Sequence, residues 1–290
     1  MNQIQEVMAA LGMESYYRPT GTLADYFATQ QATREYVNNK QVIAREVTTD
    51  ADSISILPIA DVHLGLNTCK EEDFIRFVNL INSAPGVYTV LMGDLAESAT
   101  RTSIGLAMYD ERYHVDIQRE MLQHLLEPLA EQGKILCGLT GNHEMRVQYF
   151  NNDNPMRELC RDISVPYMGY QGFIKLVING ITYHIMCYHG SGGGTTKGGK
   201  MNSAIKPSKV ANVDVYITAH VHDQIATPDV IYEIDDDTNT LVARKRMYVT
   251  CGSFVDYFGS YAEMKCLAPS PTGMPMIHLS ATQHDVHCSI

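Results

Sequence analysis

Five short polar clusters along the chain combine the side chain types that bind divalent cations in proteins. Each contains aspartate, asparagine or histidine, and each follows a short apolar run that is typical of a buried strand. A lone histidine has many structural uses, so the indication of chemistry lies in the order and spacing of all five clusters. In sequence they are Asp61-Val62-His63, Gly93-Asp94, Gly141-Asn142-His143-Glu144, His189-Gly190 and His220-Val221-His222.

The donor atoms of these clusters indicate a transition-metal site rather than a calcium site. Carboxylate oxygen, imidazole nitrogen and one amide oxygen suit Mn²⁺, Fe²⁺ or Zn²⁺, whereas Ca²⁺ prefers oxygen ligands throughout. None of the clusters contains cysteine, which argues against a structural zinc site. Two neighbouring cations need a bridging ligand, and a carboxylate can supply one oxygen to each. Asp94 stands in the middle of the order and suits that role.

In this order the clusters resemble the pattern of the calcineurin-like metallophosphoesterase superfamily, which is D-x-H, G-D, G-N-H-[DE], a later His, and G-H-x-H. The match covers roughly residues 53–252. The resemblance implies an α/β fold, a four-layer α-β-β-α sandwich of two mixed sheets with flanking helices. It also implies two divalent metal ions, with manganese expected first and iron, zinc or magnesium as alternatives. The chain departs from the pattern at Ala219, where the family has Gly, and after Asp94, where the V-D-R-G of Ser/Thr protein phosphatases is missing.

The resemblance further implies a role for each residue of the pattern. Asp94 would be shared by both metals and take part in catalysis. His143 would stand near the leaving-group oxygen as proton donor or transition-state stabiliser, and a metal-bridging hydroxide would be the nucleophile. The implied ligands of one metal are Asp61, His63 and His222, and those of the other are Asn142, His189 and His220.

A second histidine, His184, competes with His189 for the fourth position of the pattern. His184 lies on the predicted strand that precedes His189, but only His189 is followed by glycine, as the pattern of the family expects. We therefore expect His189 to be the ligand and His184 to have a structural role.

Four basic residues are candidates for binding the substrate. Arg101 and Arg146 follow two of the clusters and could each clamp a phosphate with two hydrogen bonds; an exposed loop arginine is the alternative. Lys197 and Lys200 lie in a glycine-rich segment directly after His189. Backbone N–H groups and lysines beside a metal site can hold a phosphate, but a flexible connection is an equal interpretation of this segment.

The elements that must position these residues alternate between strand and helix in the first half of the chain. Apolar runs predict strands at 53–60, 88–92 and 135–139, and helical spacing predicts helices at 71–83 and 110–132. This order favours a layered α/β core with polar residues at the strand ends. The second half is richer in strands, predicted at 173–178, 181–188, 213–218, 231–234, 242–250, 276–279 and 285–289.

Composition limits the classes of partner and compartment. Residues 1–50 are polar and weakly patterned, and we interpret them as an N-terminal helical arm before a phosphoesterase domain at 51–290. A net charge of -11 without a basic stripe argues against tight binding of a nucleic-acid duplex. Seven widely spaced cysteines without a C-x-x-C pair indicate reduced thiols. No signal-peptide pattern or long apolar span occurs, so we expect a cytoplasmic protein that does not use the membrane.

Together these features predict an enzyme that hydrolyses phosphoester bonds. The first hypothesis is a phosphodiesterase or nuclease whose partner is a nucleotide or a single-stranded nucleic acid. The alternative is a phosphomonoesterase that acts on a small molecule or a protein. A non-catalytic scaffold that binds a partner through residues 1–50 is the third hypothesis, and the complete set of implied ligands argues against it.

Overall fold

Eleven strands occur among residues 42–100, 103, 111–151 and 153–290, the part of the chain that the computed structural model describes. In chain order they are β1 Ile43–Val47, β2 Ser53–Ile56, β3 Val87–Leu91, β4 Ile135–Gly138, β5 Gln171–Ile178, β6 Ile181–Tyr188, β7 Val215–Thr218, β8 Ile225–Asp235, β9 Thr240–Thr250, β10 Met276–Ser280 and β11 Val286–Ser289.

The helices of the described residues lie between these strands. They are α1 Glu71–Ser83, α2 Val115–Glu131, α3 Asn142–Asn151, α4 Pro155–Asp162, α5 Lys197–Ile205 and the short α6 Tyr261–Met264, with a 3-10 turn at Lys206–Lys209. Among them, no helix combines the length and the apolar composition needed to cross a bilayer.

Two mixed sheets pack face to face and share one hydrophobic core. One sheet has six strands in the order β1-β5-β6-β7-β9-β8, and the other has five in the order β11-β10-β2-β3-β4. Helices α1 and α2 add Phe74 and Leu126 to this core, while α5 covers the other face of the six-stranded sheet, where Ala204 packs with Tyr216 and Tyr248. The predicted α/β sandwich of two mixed sheets with flanking helices is therefore confirmed.

Parallel pairing in both sheets determines where the site forms. Strands β2, β3 and β4 are parallel neighbours in one sheet, and β6, β7 and β9 are parallel neighbours in the other. The carboxyl ends of parallel neighbours lie at the same edge of a sheet, and ligands of α/β folds bind there. Because the two sheets are stacked, the polar clusters that follow β2, β3, β4, β6 and β7 meet at one end of the sandwich.

The structure differs from the sequence prediction at the start of the domain. Ile43–Val47, which lies within the predicted helical arm, forms β1 and pairs in parallel with β5 at the edge of the six-stranded sheet. Arg45 and Glu46 give this strand the charged, weakly alternating composition of an edge strand. A prediction based on apolar runs therefore does not detect it. The sheet therefore begins before residue 51, and residues 1–41 lie outside the described residues.

Three helices follow polar or glycine-rich sequence that did not predict them. Helix α3 starts at the Asn142 cluster itself, and α4 starts at Pro155, where the Asn154 side chain accepts a hydrogen bond from the N–H of Arg157. Helix α5 includes the lysines of the glycine-rich segment, and Thr196 caps it by accepting from the N–H of Gly199. The last four residues of the glycine-rich segment, 197–200, are therefore helical rather than part of a flexible connection.

Candidate metal centre

The first group of converging side chains comes from the ends of β2 and β7. One ligand atom each from Asp61, His63 and His222 lies within 4.8 Å of the other two. The two imidazole Nε2 atoms are 3.2 Å apart, and His222 Nε2 is 3.3 Å from Asp61 Oδ1. Asp61 is fully buried, and its Oδ1 has no hydrogen-bond partner in the structure.

The second group comes from the ends of β3, β4, β6 and β7. Asp94, His189 and His220 offer one ligand atom each within 4.8 Å of one another. His189 Nε2 lies 3.3 Å from Asp94 Oδ2 and 3.2 Å from Asn142 Oδ1. All seven residues of the predicted cage are thus brought to the same end of the sandwich, in two groups that agree with the two implied shells.

Hydrogen bonds outside the two groups fix the direction of the rings. His63 Nδ1 lies 2.8 Å from Glu97 Oε2, and His189 Nδ1 lies 2.8 Å from the carbonyl oxygen of Met92. Each Nδ1–H donates to an oxygen in this arrangement, which leaves the lone pair of Nε2 directed into the group. Such a second hydrogen bond to a carboxylate or carbonyl is the usual support of a histidine that binds a metal.

Backbone strain is concentrated at the same residues. The φ angles of Asp61, His63, Asp94, His220 and His222 are 45°, 51°, 52°, 71° and 49°, in the left-handed region that residues with a side chain seldom occupy. Such conformations cost free energy and persist where the surrounding structure enforces them, typically at functional sites. Sharp turns after the strands thus direct these side chains toward one point.

Burial and neighbouring charges separate the pKa values of the ionisable groups. Burial alone would raise the pKa of Asp94, but His189 and His143 beside it hold that pKa well below its ordinary range. Burial would lower the pKa of His189, yet Asp94 raises it to about 10. For His63, burial and the adjacent His143 lower the pKa. Carboxylates that stay charged when buried require positive charge beside them, which protons or bound cations can supply.

The two groups fit divalent metal ions. Ligand atoms about 2.0–2.2 Å from one tetrahedral cation lie roughly 3.3–3.6 Å from each other, close to the separations found here. His63 Nε2 and Asp61 Oδ1 lie 3.2 Å and 3.3 Å from His222 Nε2, and Asp61 Oδ1 has no hydrogen-bond partner, as expected for atoms that would share a cation. The donor set of carboxylate, imidazole and amide also excludes a thiolate site, because the buried cysteines lie in the core.

His143 lies beside both groups and is oriented by Glu97. Its Nδ1 lies 2.8 Å from the carbonyl oxygen of Glu97 and 3.3 Å from that residue's Oε2, and its Nε2 lies 3.8 Å from Asp94 Oδ2. Its ring meets the ring of His63 edge to face, at 4.4 Å between centroids. Burial would lower the pKa of His143, but Asp94 and Glu97 raise it to about 9. Glu97 thus holds Nδ1 of this ring, and Nε2 faces Asp94.

Two buried glutamates support the site and were not predicted as site residues. Glu97 contacts His63 and His143, and burial would raise its pKa, but those two histidines bring it below its ordinary range. Glu144 accepts hydrogen bonds from the N–H groups of Asp94, Leu95 and Gly141, so it holds two of the strand-end turns together. The sequence did contain a signal for each, since Glu144 belongs to one cluster and Glu97 follows Asp94 by three residues.

The candidate substrate residues are less free than the sequence suggested. Lys197 and Lys200 both pair with the buried carboxylate of Asp223. Arg146 donates to Ser103 Oγ and lies 3.9 Å from Glu97 Oε1, which places it near the site but beside a carboxylate. Arg101 lies outside the described residues. These positions leave the four substrate assignments as proposals.

His184 does not join either group. Its side chain is exposed on the outer face of β6, and its Nδ1 is 3.8 Å from Asp214 Oδ2. Of the two histidines that competed for the fourth position of the pattern, it is His189 that contacts Asp94 and Asn142.

Gly141 must lack a side chain for Asp94 to keep its place. A Cβ atom on Gly141 would overlap both the Oδ1 and the backbone nitrogen of Asp94. We expect Gly141→Ala to lower the free energy of unfolding by about 1–3 kcal/mol and to weaken metal binding, because the backbone must move apart. Denaturant unfolding and metal titration would measure both effects. Gly198→Ala is the control, since no atom lies within 4 Å of its Cβ, and equal losses in both variants would contradict this explanation.

Comparison with solved structures finds similar chains at low sequence identity. Wild-type Vps29 complexed with Zn²⁺ from Entamoeba histolytica is 14% identical, with 81% of this chain and 97% of that chain covered and a TM-score of 0.35. A predicted phosphoesterase from Streptococcus pneumoniae TIGR4 is 12% identical, with 82% and 90% covered and a TM-score of 0.34. A protein serine/threonine phosphatase from Saccharomyces cerevisiae is 12% identical, with 100% and 95% covered and a TM-score of 0.34.

Neither a protein-family model nor a curated protein matches the sequence. At TM-scores this low, the similarity to solved structures carries no argument about activity. The function must therefore be inferred from the side chains of this chain and their geometry.

Proposed function

We propose that this protein is a metal-dependent hydrolase of phosphoester bonds. The supporting observation is the pair of converging ligand groups, one around Asp61 and one around Asp94, at the carboxyl ends of strands in two stacked sheets. Two divalent ions are proposed, with manganese first and iron, zinc or magnesium as alternatives. Bound metal would lower the pKa of water toward neutrality and stabilise negative charge on phosphoryl oxygens.

The residues around the ligands have separate tasks in this proposal. Asp94 belongs to the second group, and its charge also acts on Asp61 of the first group, so it is the carboxylate that we propose would be shared by the two ions. His143 donates a proton to, or a hydrogen bond at, the leaving-group oxygen through Nε2. Glu97 holds the opposite nitrogen of that ring at 2.8 Å through its carbonyl, so Nε2 is the atom that remains for the substrate.

A diester is the better proposed substrate than a monoester. A phosphomonoester is close to a dianion at neutral pH, whereas a diester carries one negative charge, so a monoester needs more positive charge around its free oxygens. Lys197, Lys200 and Arg146 each lie beside a carboxylate, so their charge is partly neutralised. The proposed activity is therefore that of a phosphodiesterase or nuclease acting on a nucleotide or single-stranded nucleic acid. A phosphomonoesterase is the alternative outcome.

Metal removal and two chromogenic substrates test the proposal. Protein stripped with a chelator should lose hydrolysis of bis(p-nitrophenyl) phosphate and regain it on addition of Mn²⁺, with Fe²⁺, Zn²⁺ and Mg²⁺ compared in parallel. We expect kcat/KM for this diester to exceed that for p-nitrophenyl phosphate. Equal or faster turnover of the monoester would support the phosphatase instead. Full activity of metal-free protein would contradict metal-dependent hydrolysis altogether.

A substrate panel then tests the class of diester. Nucleotide diesters, single-stranded oligonucleotides and duplexes of the same sequence would be compared at several salt concentrations. We expect single strands and nucleotides to be cleaved faster than duplexes, because the net charge of -11 opposes binding of a densely charged duplex. A strong preference for the duplex would contradict this proposal.

A further inference from the structure

The hairpin of β8 and β9 extends beyond the six-stranded sheet. Strand β9 pairs with β7 only over Met247–Thr250, whereas β8 and β9 stay paired as far as Asp235 and Thr240. Residues 229–235 and 240–246 thus form a two-stranded ribbon that β7 does not reach. Two strands with no further layer are marginally stable in water, so a covered face would be expected for such a ribbon.

One face of the ribbon is apolar and exposed. Its members, which we call the apolar face, are Val230, Tyr232, Ile234 and Leu241, with exposed fractions of 53%, 70%, 71% and 67%. Ile234 stands opposite Leu241 in the register, so the two form a cross-strand pair. Alternation along β9 puts Leu241 on the same side as Met247 and Val249, which are buried in the core. The apolar face therefore continues the core-facing side of the sheet into solvent.

The opposite face of the ribbon is suited to water. Arg246 pairs with Asp229, and Arg244 Nε lies 3.2 Å from Glu233 Oε2. A ribbon with charges on one side and apolar side chains on the other has the pattern of a sheet with one covered face. None of the described residues covers the apolar side. Its neighbouring apolar side chains form one patch, whereas single exposed apolar residues are normal on a protein surface.

We propose that a second copy of this chain covers the apolar face, so that two ribbons pack face to face about a twofold axis. In such a contact the same patch serves both partners, and an apolar patch is complementary to itself. Stacked sheets lie about 10 Å apart and interlock their side chains, which suits Tyr232, Ile234 and Leu241. Every chain carries the apolar face, so a second copy is always available to cover it.

The available area lies at the lower end of what specific dimers bury, so we expect a modest affinity. The exposed parts of the four side chains supply roughly half of the about 800 Å² per partner that stable interfaces bury. The ribbon backbone, Ala243 and the stem of Lys245 lie on the same side and add to it. Lys245 is paired with Asp285 at 2.8 Å, so no unpaired charge is forced into the contact from this residue.

Charge gives the association a characteristic salt dependence. Each copy carries a net charge of -11, so two copies repel one another at long range. The apolar face has no carboxylate of its own, so salt screens the repulsion without weakening the contact. We therefore expect the dimer to strengthen as the salt concentration rises, which is the opposite of an interface held by ion pairs.

Neighbouring residues of β9 provide a matched test. Leu241 lies on the apolar face, while Val242 is 37% exposed and lies on the charged face opposite Glu233. Leu241→Lys and Val242→Lys add the same side chain one residue apart on the same strand. In sedimentation equilibrium of the full chain, we expect a dimer for the wild type and for Val242→Lys, and a 32.3 kDa monomer for Leu241→Lys.

Two results would overturn the proposal. One is a wild-type chain that stays monomeric up to about 100 µM, above the dissociation constants usual for specific interfaces of this size. The other is a dimer that Leu241→Lys leaves intact. Circular dichroism and the hydrolysis rate per chain should match the wild type in both variants, because the ribbon contains none of the proposed ligands. A variant that loses both would be replaced by Ile234→Lys, with the same two readouts.

Discussion

Replacement of Asp94 by asparagine is expected to lower the rate of phosphoester hydrolysis by at least about 10³-fold while the chain stays folded. The carboxylate is almost fully buried, and its Oδ2 lies 3.3 Å from His189 Nε2 and 3.8 Å from His143 Nε2. Asparagine has the same shape but only one oxygen and no charge. Asparagine cannot bridge two cations, so we expect one of the two metals to bind more weakly. The loss of negative charge should weaken the binding of both.

The fold should survive this change because asparagine keeps the structural hydrogen bond. Asp94 Oδ1 accepts from the N–H of His143 at 2.8 Å, and an amide oxygen can accept the same bond. The lost charge also relieves a neighbour, since burial and the charge of Asp94 together raise the pKa of Glu144. Asparagine also loses the attraction of His189 and His143 that holds the pKa of Asp94 low, so without metal Tm should fall modestly while the chain still folds. The increase in Tm on metal addition should shrink, because that increase reports metal affinity.

Asp116→Asn is the matched control for this experiment. Asp116 lies exposed in the first turn of α2, so the same substitution there removes a carboxylate that belongs to neither ligand group. It should leave the hydrolysis rate and the metal-dependent change in Tm unchanged. A wild-type rate in Asp94→Asn would contradict the proposed mechanism, and loss of folding would contradict the structural argument.

The convergence of the seven residues could be predicted from the sequence because each cluster is local. Every cluster is a short stretch that follows an apolar strand. Parallel strands bring such stretches to one edge of the sheet, regardless of the conformation of the loops between them. The sharp turns can also be recognised in the sequence, because Gly93 precedes Asp94 and Gly190 follows His189. Both glycines have positive φ. Helix α1 was predicted at its observed bounds for the same reason, because its apolar spacing is complete within one segment.

The partners of charged residues could not be predicted from local patterns. Lys197 and Lys200 looked available for a phosphate, but Asp223, far along the chain, pairs with both. Glu97 lies in the stretch after Asp94 that lacks the V-D-R-G motif, yet it contacts and orients His63 and His143. Strand β1 is an edge strand whose charged residues need no apolar alternation. In each case the deciding contact is long-range in sequence.

His143→Gln is expected to lower kcat by about 10²–10⁴-fold without removing the metals, the range usual for loss of a general acid. The loss should depend on the leaving group. A proton donor matters most when the leaving oxygen is basic, so alkyl and nucleoside diesters should lose far more rate than p-nitrophenyl esters. His143 clusters with His63 and Glu97 but belongs to neither proposed shell, so we expect the metal content to stay that of the wild type.

The dependence on leaving group separates this role from a merely structural one. A variant that only disturbed the site would lose the same factor for every substrate and would also lose metal. His184→Gln is the control, since that ring is exposed and pairs with Asp214 away from the site. If His143→Gln slows p-nitrophenyl and alkyl esters equally while its metal content is intact, His143 stabilises charge on the phosphoryl group rather than protonating the leaving oxygen. Unchanged rates on both substrates would remove His143 from the mechanism.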